Sequence, residues 1–541
     1  MRADELIRQG RRDEVWTKYC GFLDLHLDEF MAIQRRLLVE QVDFLSRSNC
    51  AISRRFLADQ KIQTLDDFRE IVPITTYEDY EEFLDNQRED VLPRKPVAWA
   101  HTSGRSGRMK WVPYTQEAYN SLGQRVLGGV ILSSARGRGD VRLELGDNLV
   151  YNSPPRPFIS GLSLMAMAEQ FSFNFVPPLD ETETMEFQER IARGFKVGMV
   201  KGIDYLGSIA VVLVKIGEQF AAGAQGSKLS AQMLHPKVMF RLLRGYLRSK
   251  MEGRPMLPKD LWRVKAIPTG GMDSTIYRDK IEYYWGMAPA EQYGSTEEGA
   301  IATQTWNKKG MTFVPDAAFL EFIPEEEWAE WRRDPSYVPR TVLFDEVEKG
   351  KRYELVISNF FGKPLVRYRM HDIVQFTELE DSETGVLLPQ MQFVGRSSAF
   401  IDLAGYTGLI DEKLVWQSIV ESNIEFEERA VQKEVVDGKV RLRLFIEAKN
   451  HHDEHEICHL VNERLKQGNR YYADYERLLE EKPLLVTMLN PGTYKEYMAE
   501  KQRQGADLAH LKPPHMNPTE DDVRLLVTKS AERGRVPVEK I

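Results

Sequence analysis

The chain has 541 residues, more than the about 100–200 of one ordinary domain, so two or three domains are expected. Hydrophobic residues make up 42% of the chain and charged residues 29%, which is typical of a globular protein and excludes extended disorder. The net charge of −9 argues against a nucleic-acid partner, although a local basic pocket for phosphates is compatible with it.

Cysteine usage and hydropathy indicate the compartment. Cys20, Cys50 and Cys458 lie far apart without CxxC spacing, which supports neither a disulfide scaffold nor a zinc site. The longest apolar run, around 209–214, is much shorter than the about 18 residues that cross a bilayer. Residues 1–30 lack the apolar stretch and cleavage site of a signal peptide. We therefore expect a cytoplasmic protein with no membrane partner.

In chain order, the pattern predicts helices first and then a mixed sheet. Residues 1–70 place apolar side chains at helical spacing, and residues 71–118 give short β-like runs punctuated by prolines. Residues 186–220 predict a Gly202 turn followed by a buried helix, whose apolar face is more typical of a core than of a cofactor site. From about 260 to 376, β-rich stretches alternate with loops and one helix near 275–287, which indicates a sheet with packed helices. These β-rich stretches are 263–268, 319–323, 355–358 and 373–376.

The region after residue 395 is predicted to be a separate module. Apolar residues alternate over 440–446 after an Asp437-Gly438 turn, which predicts an antiparallel hairpin. A charged helix at about 452–467 and an apolar run at 484–489 complete a ββαβ pattern. The prediction is an α/β protein with a large N-terminal domain of β-sheets with packed helices, residues 1–395, and a small α+β C-terminal domain, residues 396–541.

Five segments could carry chemistry, and the first is HTSGRSGRMK, residues 101–110. Its glycines let the backbone curl, its hydroxyls and N–H groups can face phosphate oxygens, and Lys110 supplies positive charge. It matches neither the Walker A loop nor the GxGxxG turn. A plain solvent turn is the alternative interpretation.

The second and third segments each contain an acid in a distinctive setting. In EQYGSTEEG, residues 291–299, a hydroxyl beside a carboxylate suits Mg²⁺ with a bound phosphate, although such a sequence also caps helices. In VRYRMHDI, residues 366–373, Asp372 lies between β-like stretches. Asp372 could accept both hydroxyls of a ribose, and a structural salt bridge to Arg367 or Arg369 is an equally good interpretation.

The last two segments lie in the C-terminal third of the chain. Gly395-Arg396 stands at the domain boundary and is either a hinge or a linker. Lys512, followed by two prolines, comes some twenty residues after a Pro-Gly-Thr-Tyr element, which is an unusual place for a merely solvated charge. Histidines 451, 455 and 459 would share a helix face, but the outer two are about 12 Å apart along the axis, so we interpret them as part of a solvated helix N-terminus rather than a zinc site.

In this order and at these separations, the five segments resemble the motifs of the adenylate-forming superfamily of acyl-CoA synthetases, luciferases and peptide-synthetase adenylation domains. Its phosphate loop, [ST]SGT[ST]GxPK, meets residues 102–110 at six of eight constrained positions, with Arg105 replacing Thr and Met109 replacing Pro. Its YGxTE motif is matched in full. Its YRxGD motif has His371 in place of Gly, and its GRxD hinge has Ser398 where Asp or Lys is usual.

Within that superfamily the chain is most similar to the plant auxin-responsive Gretchen Hagen family of acyl-acid-amido synthetases and its bacterial relatives. Residues 67–80 resemble that family's segment before the phosphate loop, and residues 194–220 resemble its acyl-pocket helix. Residues 491–514 resemble its PGTF element and terminal Lys-x-Pro lysine. The resemblance spans about 40–515.

The resemblance implies a monomeric ATP- and Mg²⁺-dependent ligase acting on a small carboxylic acid and an amine or amino acid. The acid's carboxylate attacks the α-phosphate to give an acyl-adenylate and pyrophosphate, the small C-terminal domain then rotates about the hinge, and the amine displaces AMP. The resemblance assigns metal binding to Glu297 and catalysis to Lys512, Thr296 and Glu297. It assigns ATP binding to Thr102, Ser103, Gly104, Arg105, Ser106, Gly107, Lys110, Tyr293, Gly294, Ser295, Asp372 and Arg396.

Two alternatives remain open at this point. Residues 366–373 also resemble phenylacetate-type CoA ligases, which share the adenylation step and differ in the acceptor. The departures at Arg105 and His371 are also compatible with a catalytically degraded nucleotide-binding protein. We expect His371 to point away from the nucleotide.

Overall fold

The computed structural model describes residues 1–48, 50–57, 62, 64–103, 109–185, 187–222, 235–270, 274–334, 336–396, 400–401, 403, 410–449, 452–503 and 515–534. The chain forms two compact units. The first comprises Met1–Thr102 and Met109–Gly395, and the second comprises Ser103 and the described residues from Arg396 onward.

The first unit opens with helices, as the spacing of residues 1–70 predicts. The long helix α3 buries one face, and its Gln34 Nε2 donates to the carbonyls of Pro315 and Ala318 at 2.6 and 2.7 Å. These bonds fix the helix against the large sheet described below. The helices are α1 Ala3–Arg8, α2 Arg12–Cys20, α3 Leu27–Ser48, α4 Ala51–Leu57, α5 Leu65–Ile71 and α6 Glu81–Leu84.

A two-stranded sheet and a small parallel sheet follow. The elements are β1 Ala98–Ser103, β2 Met109–Tyr114, α7 Gln116–Ser134, β3 Asn148–Tyr151, α8 Ile159–Ala168, β4 Asn174–Val176, α9 Leu179–Thr182, α10 Phe187–Lys201, β5 Tyr205–Gly207 and α11 Ala210–Ala221. Strands β1 and β2 pair with each other, and the parallel sheet has the order β4-β3-β5. The predicted helix after Gly202 is confirmed as α11, with Val212 and Leu213 fully buried, whereas α10 was not predicted.

An eight-stranded mixed sheet forms the centre of the first unit, in the order β10-β11-β12-β13-β9-β8-β7-β6. Its elements and their neighbours are α12 Pro236–Met251, α13 Pro258–Leu261, β6 Pro268–Gly270, α14 Ser274–Trp285, β7 Ala290–Ser295, β8 Gly299–Gln304, β9 Met311–Phe313, β10 Ala318–Pro324, α15 Glu325–Arg333, β11 Arg352–Asn359, β12 Tyr368–Glu378 and β13 Gln390–Arg396. Three of the predicted β-rich stretches lie inside β10, β11 and β12. The strand predicted at 263–268 is shifted: it is β6, which begins at Pro268 and is set by parallel pairing with β7, while Ala266 forms an isolated parallel bridge to Tyr205.

The second unit contains the predicted ββαβ module, with one further helix inserted before the last strand of the module. Its elements are β14 Phe400–Ile401, β15 Ile410–Asp411, α16 Glu412–Val420, β16 Phe426–Val436, β17 Lys439–Ala448, α17 Glu454–Gly468, α18 Arg470–Leu479, β18 Leu484–Met488, α19 Thr493–Arg503 and α20 Glu520–Gly534. Asp437 and Gly438 both have positive φ, +52° and +70°, which is the backbone of a type I′ hairpin turn. Strand β18 adds parallel to β17. Within the described ranges, no helix is long and apolar enough to cross a membrane.

Candidate active site

Two hydrogen bonds join the second and third chemical segments. The Tyr293 hydroxyl donates to Asp372 Oδ2 at 2.6 Å, and the Tyr368 hydroxyl donates to Glu297 Oε1 at 3.2 Å. The partners are 79 and 71 residues apart in sequence, so the bonds are made only by the fold. They bring the end of β7 and the start of β12 into one site.

Asp372 is buried at this junction, with 3% of its surface exposed. The two arginines of the salt-bridge interpretation are bonded to glutamates: Arg367 Nη2 lies 2.9 Å from Glu321 Oε1, and Arg369 Nε lies 2.5 Å from Glu354 Oε1. The Tyr293 ring stacks on Phe393, with ring centroids 5.7 Å apart. Asp372 is therefore held next to an aromatic pair.

His371 occupies a bulge in β12, where residues 370–372 stand opposite Leu355 alone. Its φ is +59°, in the left-handed region that favours glycine, which explains why the superfamily motif has Gly at this position. Its Nδ1 lies 3.4 Å from Glu354 Oε1, the carboxylate that Arg369 also binds. Burial lowers the pKa of His371, although Glu354 opposes the shift. The imidazole thus contacts Glu354, whereas Asp372 contacts Tyr293.

The turn between β7 and β8 carries the YGxTE residues and is tightly built. A Cβ on Gly294 would lie 2.5 Å from the Gly299 carbonyl oxygen, so only glycine fits there. Ser295 Oγ accepts a hydrogen bond from the Glu298 N–H at 3.2 Å, and the Thr296 carbonyl accepts one from the Tyr114 hydroxyl at 2.9 Å. Ser295 therefore closes its own turn.

Next to this turn lies a buried set of three charged side chains and one amide that the sequence did not indicate. We call it the Glu298 network: Glu298, Arg125, Lys363 and Asn359. The Glu298 carboxylate accepts hydrogen bonds from Arg125 Nη2 at 3.0 Å, Lys363 Nζ at 3.0 Å and Asn359 Nδ2 at 2.7 Å. Lys363 is fully buried, lies 4.1 Å from the Tyr114 ring centroid and also donates to the Glu297 carbonyl. The network fixes the backbone from which the Glu297 side chain projects.

Lys110, the last residue of the first segment, lies above Tyr77, with its Nζ 4.9 Å from the ring centroid. Tyr77 belongs to the stretch 67–80, and its hydroxyl donates to Asp85 Oδ1 and accepts from the Trp111 N–H, both at 2.8 Å. Burial, and then the charges of Asp85 and Glu297, raise the pKa of Tyr77. Tyr77 thus contacts the end of the first segment through the Lys110 ammonium and the residue after it through the Trp111 N–H.

Several of the predicted site residues cannot be placed. Gly104, Arg105, Ser106, Gly107 and Lys512 lie outside the described residues, as does Ser398. Thr102 and Ser103 are the last two residues of β1, and Arg396 is the last residue of β13. Only the backbone of these three residues is described. The structure brings Tyr293, Gly294, Ser295, Thr296, Glu297 and Asp372 together, and the charge of Lys110 helps to lower the pKa of His371, next to Asp372, after the larger effect of burial.

The histidine segment is a helix start. Helix α17 begins at Glu454 after Asp453, whose side chain accepts from the Glu456 N–H, and His452 Nδ1 lies 2.9 Å from Glu456 Oε2. Among the described residues, no group of three or more His, Cys, Asp or Glu side chains could hold a metal ion. Helix α17 thus begins within the histidine segment, as interpreted from the sequence, and residue 451 lies outside the described residues.

Comparison with protein-family models identifies three domains of one family. The GH3 family N-terminal domain matches residues 22–142, its central domain matches 311–396, and its C-terminal domain matches 422–521. Together the three matches cover more than half of the chain.

Individual relatives match over shorter segments. The chain is 33% identical over 151 residues to a jasmonoyl–L-amino acid synthetase of Oryza sativa subsp. japonica, a match covering 26% of this chain and 24% of the relative. It is 34% identical over 143 residues to an indole-3-acetic acid-amido synthetase of Arabidopsis thaliana, covering 25% and 22%. The match thus spans about a quarter of the length of these curated relatives.

The solved structure of a 2-hydroxyisobutyryl-CoA ligase is similar in fold, with a TM-score of 0.53, 14% identity and coverage of 93% of this chain and 92% of that one. The α/β fold class predicted from the sequence is confirmed.

The three family models follow one another along the chain in the order N-terminal, central and C-terminal. The resemblance drawn from the motifs is therefore confirmed as well, and the chain belongs to the GH3 family.

Proposed function

We propose that this chain is an ATP-dependent acyl acid amido synthetase, which adenylates a small carboxylic acid and transfers the acyl group to an amine or amino acid. The observation that carries the proposal is the pair of hydrogen bonds, Tyr293 to Asp372 and Tyr368 to Glu297, that joins the YGxTE and YRxHD motifs into one site. The two bonds connect the acids of two motifs that lie 71–79 residues apart in sequence.

The nucleoside of ATP binds at Asp372 in this proposal. A buried carboxylate oriented by one phenol can accept from both hydroxyls of a ribose, and the stacked Tyr293–Phe393 pair gives the base an aromatic neighbour. The phosphates bind in the loop from Thr102 to Lys110. Lys110 supplies a positive charge there, and its ammonium lies above the Tyr77 ring.

Glu297 is the proposed Mg²⁺ ligand. Magnesium commonly takes only one or two protein carboxylates and completes its shell with phosphate oxygens and water. A single half-buried carboxylate, oriented by Tyr368 and projecting from a backbone held by Lys363, fits that requirement. When bound, Mg²⁺ would neutralise negative charge on the phosphates of ATP.

Adenylation then needs positioning and charge neutralisation more than covalent help from the protein. The carboxylate oxygen of the acid attacks the α-phosphorus, and the bond to the bridging oxygen of pyrophosphate breaks. Lys110 and Lys512 neutralise the developing charge in this proposal. The nitrogen of the amine next attacks the acyl carbon, AMP leaves with the electron pair of the broken C–O bond, and the amine loses a proton. We assign ATP and acid binding to residues 1–395 and the adenylation lysine to residues 396–541, in a monomeric cytoplasmic enzyme.

The names of the two relatives guide the choice of substrates. One is named a jasmonoyl–L-amino acid synthetase and the other an indole-3-acetic acid-amido synthetase. Both names describe an enzyme that joins a carboxylic acid to an amino group. The first acids to test are accordingly jasmonate and indole-3-acetate, followed by a wider panel of small acids, with the twenty amino acids as acceptors.

The experiment measures acid-dependent pyrophosphate release from ATP and Mg²⁺, followed by mass spectrometry of the product with amino acids or with CoA. An N-acyl amino acid is the expected product. A thioester formed with CoA, and no amide, would instead identify an acyl-CoA ligase. ATP binding without release of pyrophosphate for any acid in the panel would identify a nucleotide-binding protein that is not an enzyme.

A further inference from the structure

Helix α12 exposes an apolar stripe that the proposed active site does not use. Val238, Gly245 and Ser249 are buried on one side of this helix. Six large apolar side chains are instead 53–88% exposed: Met239, Phe240, Leu243, Tyr246, Leu247 and Met251. At 100° per residue these positions fall within one stripe along the helix. Single exposed apolar residues are ordinary, but six on one helix face are typical of an interaction surface.

The same helix is strongly basic. It carries Lys237, Arg241, Arg244, Arg248 and Lys250 and no acidic residue between Pro236 and Met251. By helical spacing, positions 237, 244 and 248 form a row along one border of the apolar stripe, and position 250 lies within the stripe. Arg241 is directed to the protein, because its Nη1 donates to the carbonyls of Gly198 and Met199 at 3.0 and 2.6 Å. Arg244 Nη2 also donates to the Asp260 carbonyl at 3.3 Å, and Arg248 Nε is paired with Glu252 Oε1 at 3.1 Å. The positive charge offered to a partner therefore comes mainly from Lys237 and Lys250, and the partner must accept apolar side chains and these cations.

A second copy of the chain does not meet both requirements. A two-fold contact through α12 would place the same basic helix on each side, and like charges at close range oppose association. An anionic lipid surface does meet them, because apolar side chains enter the acyl boundary while Lys and Arg remain at the level of the phosphates. The combination of an apolar face and a basic border is characteristic of helices that lie in a membrane interface.

We propose that α12 is a docking helix for anionic membrane surfaces, on which it lies parallel to the bilayer with its apolar stripe inserted. This differs from the expectation of no membrane partner. A search for long apolar runs detects only segments that span a membrane, not helices that lie on its surface. The net charge of −9 is a sum over the whole chain, so it does not reveal the basic residues of α12. The proposal does not depend on the proposed enzymatic activity.

The test is co-sedimentation of the full chain with vesicles of phosphatidylcholine alone or of phosphatidylcholine with 30 mol% phosphatidylglycerol, a fraction of about one third chosen to saturate the electrostatic attraction. We expect binding to the mixed vesicles that weakens as salt rises, because surface charges are screened. A Phe240→Gln/Leu243→Gln/Leu247→Gln variant should lose at least about tenfold in partition coefficient, since three inserted apolar side chains are removed. A Lys237→Gln/Lys250→Gln variant should lose binding to the anionic vesicles. Val39→Gln, which alters a 60%-exposed residue of α3, is the control and should bind like the wild type.

Circular dichroism of each variant checks that the fold is intact, which separates loss of binding from unfolding. The proposal is overturned if the wild type fails to pellet with either vesicle, or if the triple apolar variant pellets equally well. Analytical ultracentrifugation gives a further criterion. A concentration-dependent dimer that the triple variant abolishes would show that the stripe is covered by a second copy and not by lipid.

Discussion

At the scale of single residues, Glu297 is the side chain on which the proposed metal binding depends. Glu297→Gln keeps the shape and an oxygen that can accept from Tyr368, but removes the negative charge. We expect acid-dependent pyrophosphate release to fall by about 10²–10³-fold, the usual cost of losing one electrostatic contact to a transition state. Measuring release across a Mg²⁺ titration checks this. Glu291→Gln, near the start of the preceding strand β7, is the matched control. An unchanged titration for Glu297→Gln would contradict the metal role.

His371 offers a test of backbone strain at the site. Ala and Gly both remove its contact with Glu354, but only Gly relieves the left-handed φ of +59°. His371→Gly should therefore be more stable than His371→Ala by about 1 kcal/mol, measured by urea unfolding. At Gln375, a residue of β12 without positive φ, the Ala variant should instead be more stable than the Gly variant by about 0.5–1 kcal/mol. The same order at both positions would mean that the strain at His371 is negligible.

Residue identity within a motif was predictable, but bonding partners were not. Asp372 and Tyr293 belong to separate sequence motifs, and nothing in their spacing indicates that the Tyr293 hydroxyl donates to the Asp372 carboxylate. Glu298 had no usable signal at all, because its partners Arg125 and Lys363 come from α7 and from the loop after β11. Contacts of this kind depend on the three-dimensional arrangement of elements distant in sequence.

At the scale of elements, the Glu298 network joins the β7–β8 turn to α7 and to the loop after β11. Glu298→Gln leaves Lys363 and Arg125 buried without their carboxylate, so we expect the free energy of unfolding to fall by about 3–5 kcal/mol. Adding Lys363→Met removes one of the two uncompensated cations and should recover part of that loss. Urea denaturation of the single and double variants measures both effects.

The exposed pair Arg36–Glu40 on α3 provides the control for this cycle. Its side chains are 60% and 58% exposed, and Glu40→Gln should change the free energy of unfolding by less than about 1 kcal/mol. If Glu298→Gln were equally mild, or if the double variant were as unstable as the sum of the single variants, the network would not act as a coupled unit.

In the second unit, we expect His515 to make the free energy of unfolding depend on pH. It lies three residues after Lys512, its carbonyl accepts from the Val431 N–H at 2.9 Å, and its ring contacts Glu412 and Glu428. The hydrogen bond to Glu428, and then that to Glu412, outweigh burial and nearby Arg429 and raise the pKa of His515. The resulting stabilisation is fully present below about pH 6.5, the ordinary value, and is lost as pH rises through the raised pKa.

His515→Gln should therefore lower the free energy of unfolding at pH 6 more than at pH 9. Urea unfolding at constant ionic strength measures the difference between wild type and variant at each pH. His26→Gln, which replaces an exposed histidine of the first unit, is the control. A difference that is constant with pH would show that the charge of His515 contributes nothing.

Some elements were predictable because their local requirements are strict. The Asp437-Gly438 turn needs positive φ at both residues, and few other residue pairs adopt it, so the hairpin of β16 and β17 follows from the sequence. Helix α18 was missed, although a signal for it exists: Gly468 ends α17, and the side chain of Asn469 accepts from the N–H groups of Tyr471 and Tyr472 at the start of α18. Strand β6 was misplaced, because pairing with β7 and not local hydropathy decides where a three-residue strand lies.

At the scale of the whole molecule, the order of the motifs carried more information than any one motif. Each of the five segments alone has an ordinary structural interpretation, yet their succession identified the family that the three domain models also identify. The main division of the chain falls between Gly395 and Arg396, the pair that the motif comparison marks as a hinge. Rotation about that pair remains a prediction, and the two half-reactions offer a way to test it.

Lys512 is the residue through which the two-domain mechanism can be tested most directly. It lies outside the described residues and is separated by roughly 400 positions from the phosphate loop, so the mechanism requires the C-terminal domain to bring its ammonium to the reacting carboxylate and α-phosphate. Lys512→Ala should reduce adenylation from ATP and acid by about 10²–10³-fold. It should convert a chemically synthesised acyl-adenylate to amide at close to the wild-type rate, because the domain has then turned away to admit the amine. Lys495→Ala, an exposed lysine of α19, is the control and should leave both half-reactions unchanged. Equal loss in both half-reactions would indicate a structural role for Lys512, and loss in neither would remove it from the mechanism.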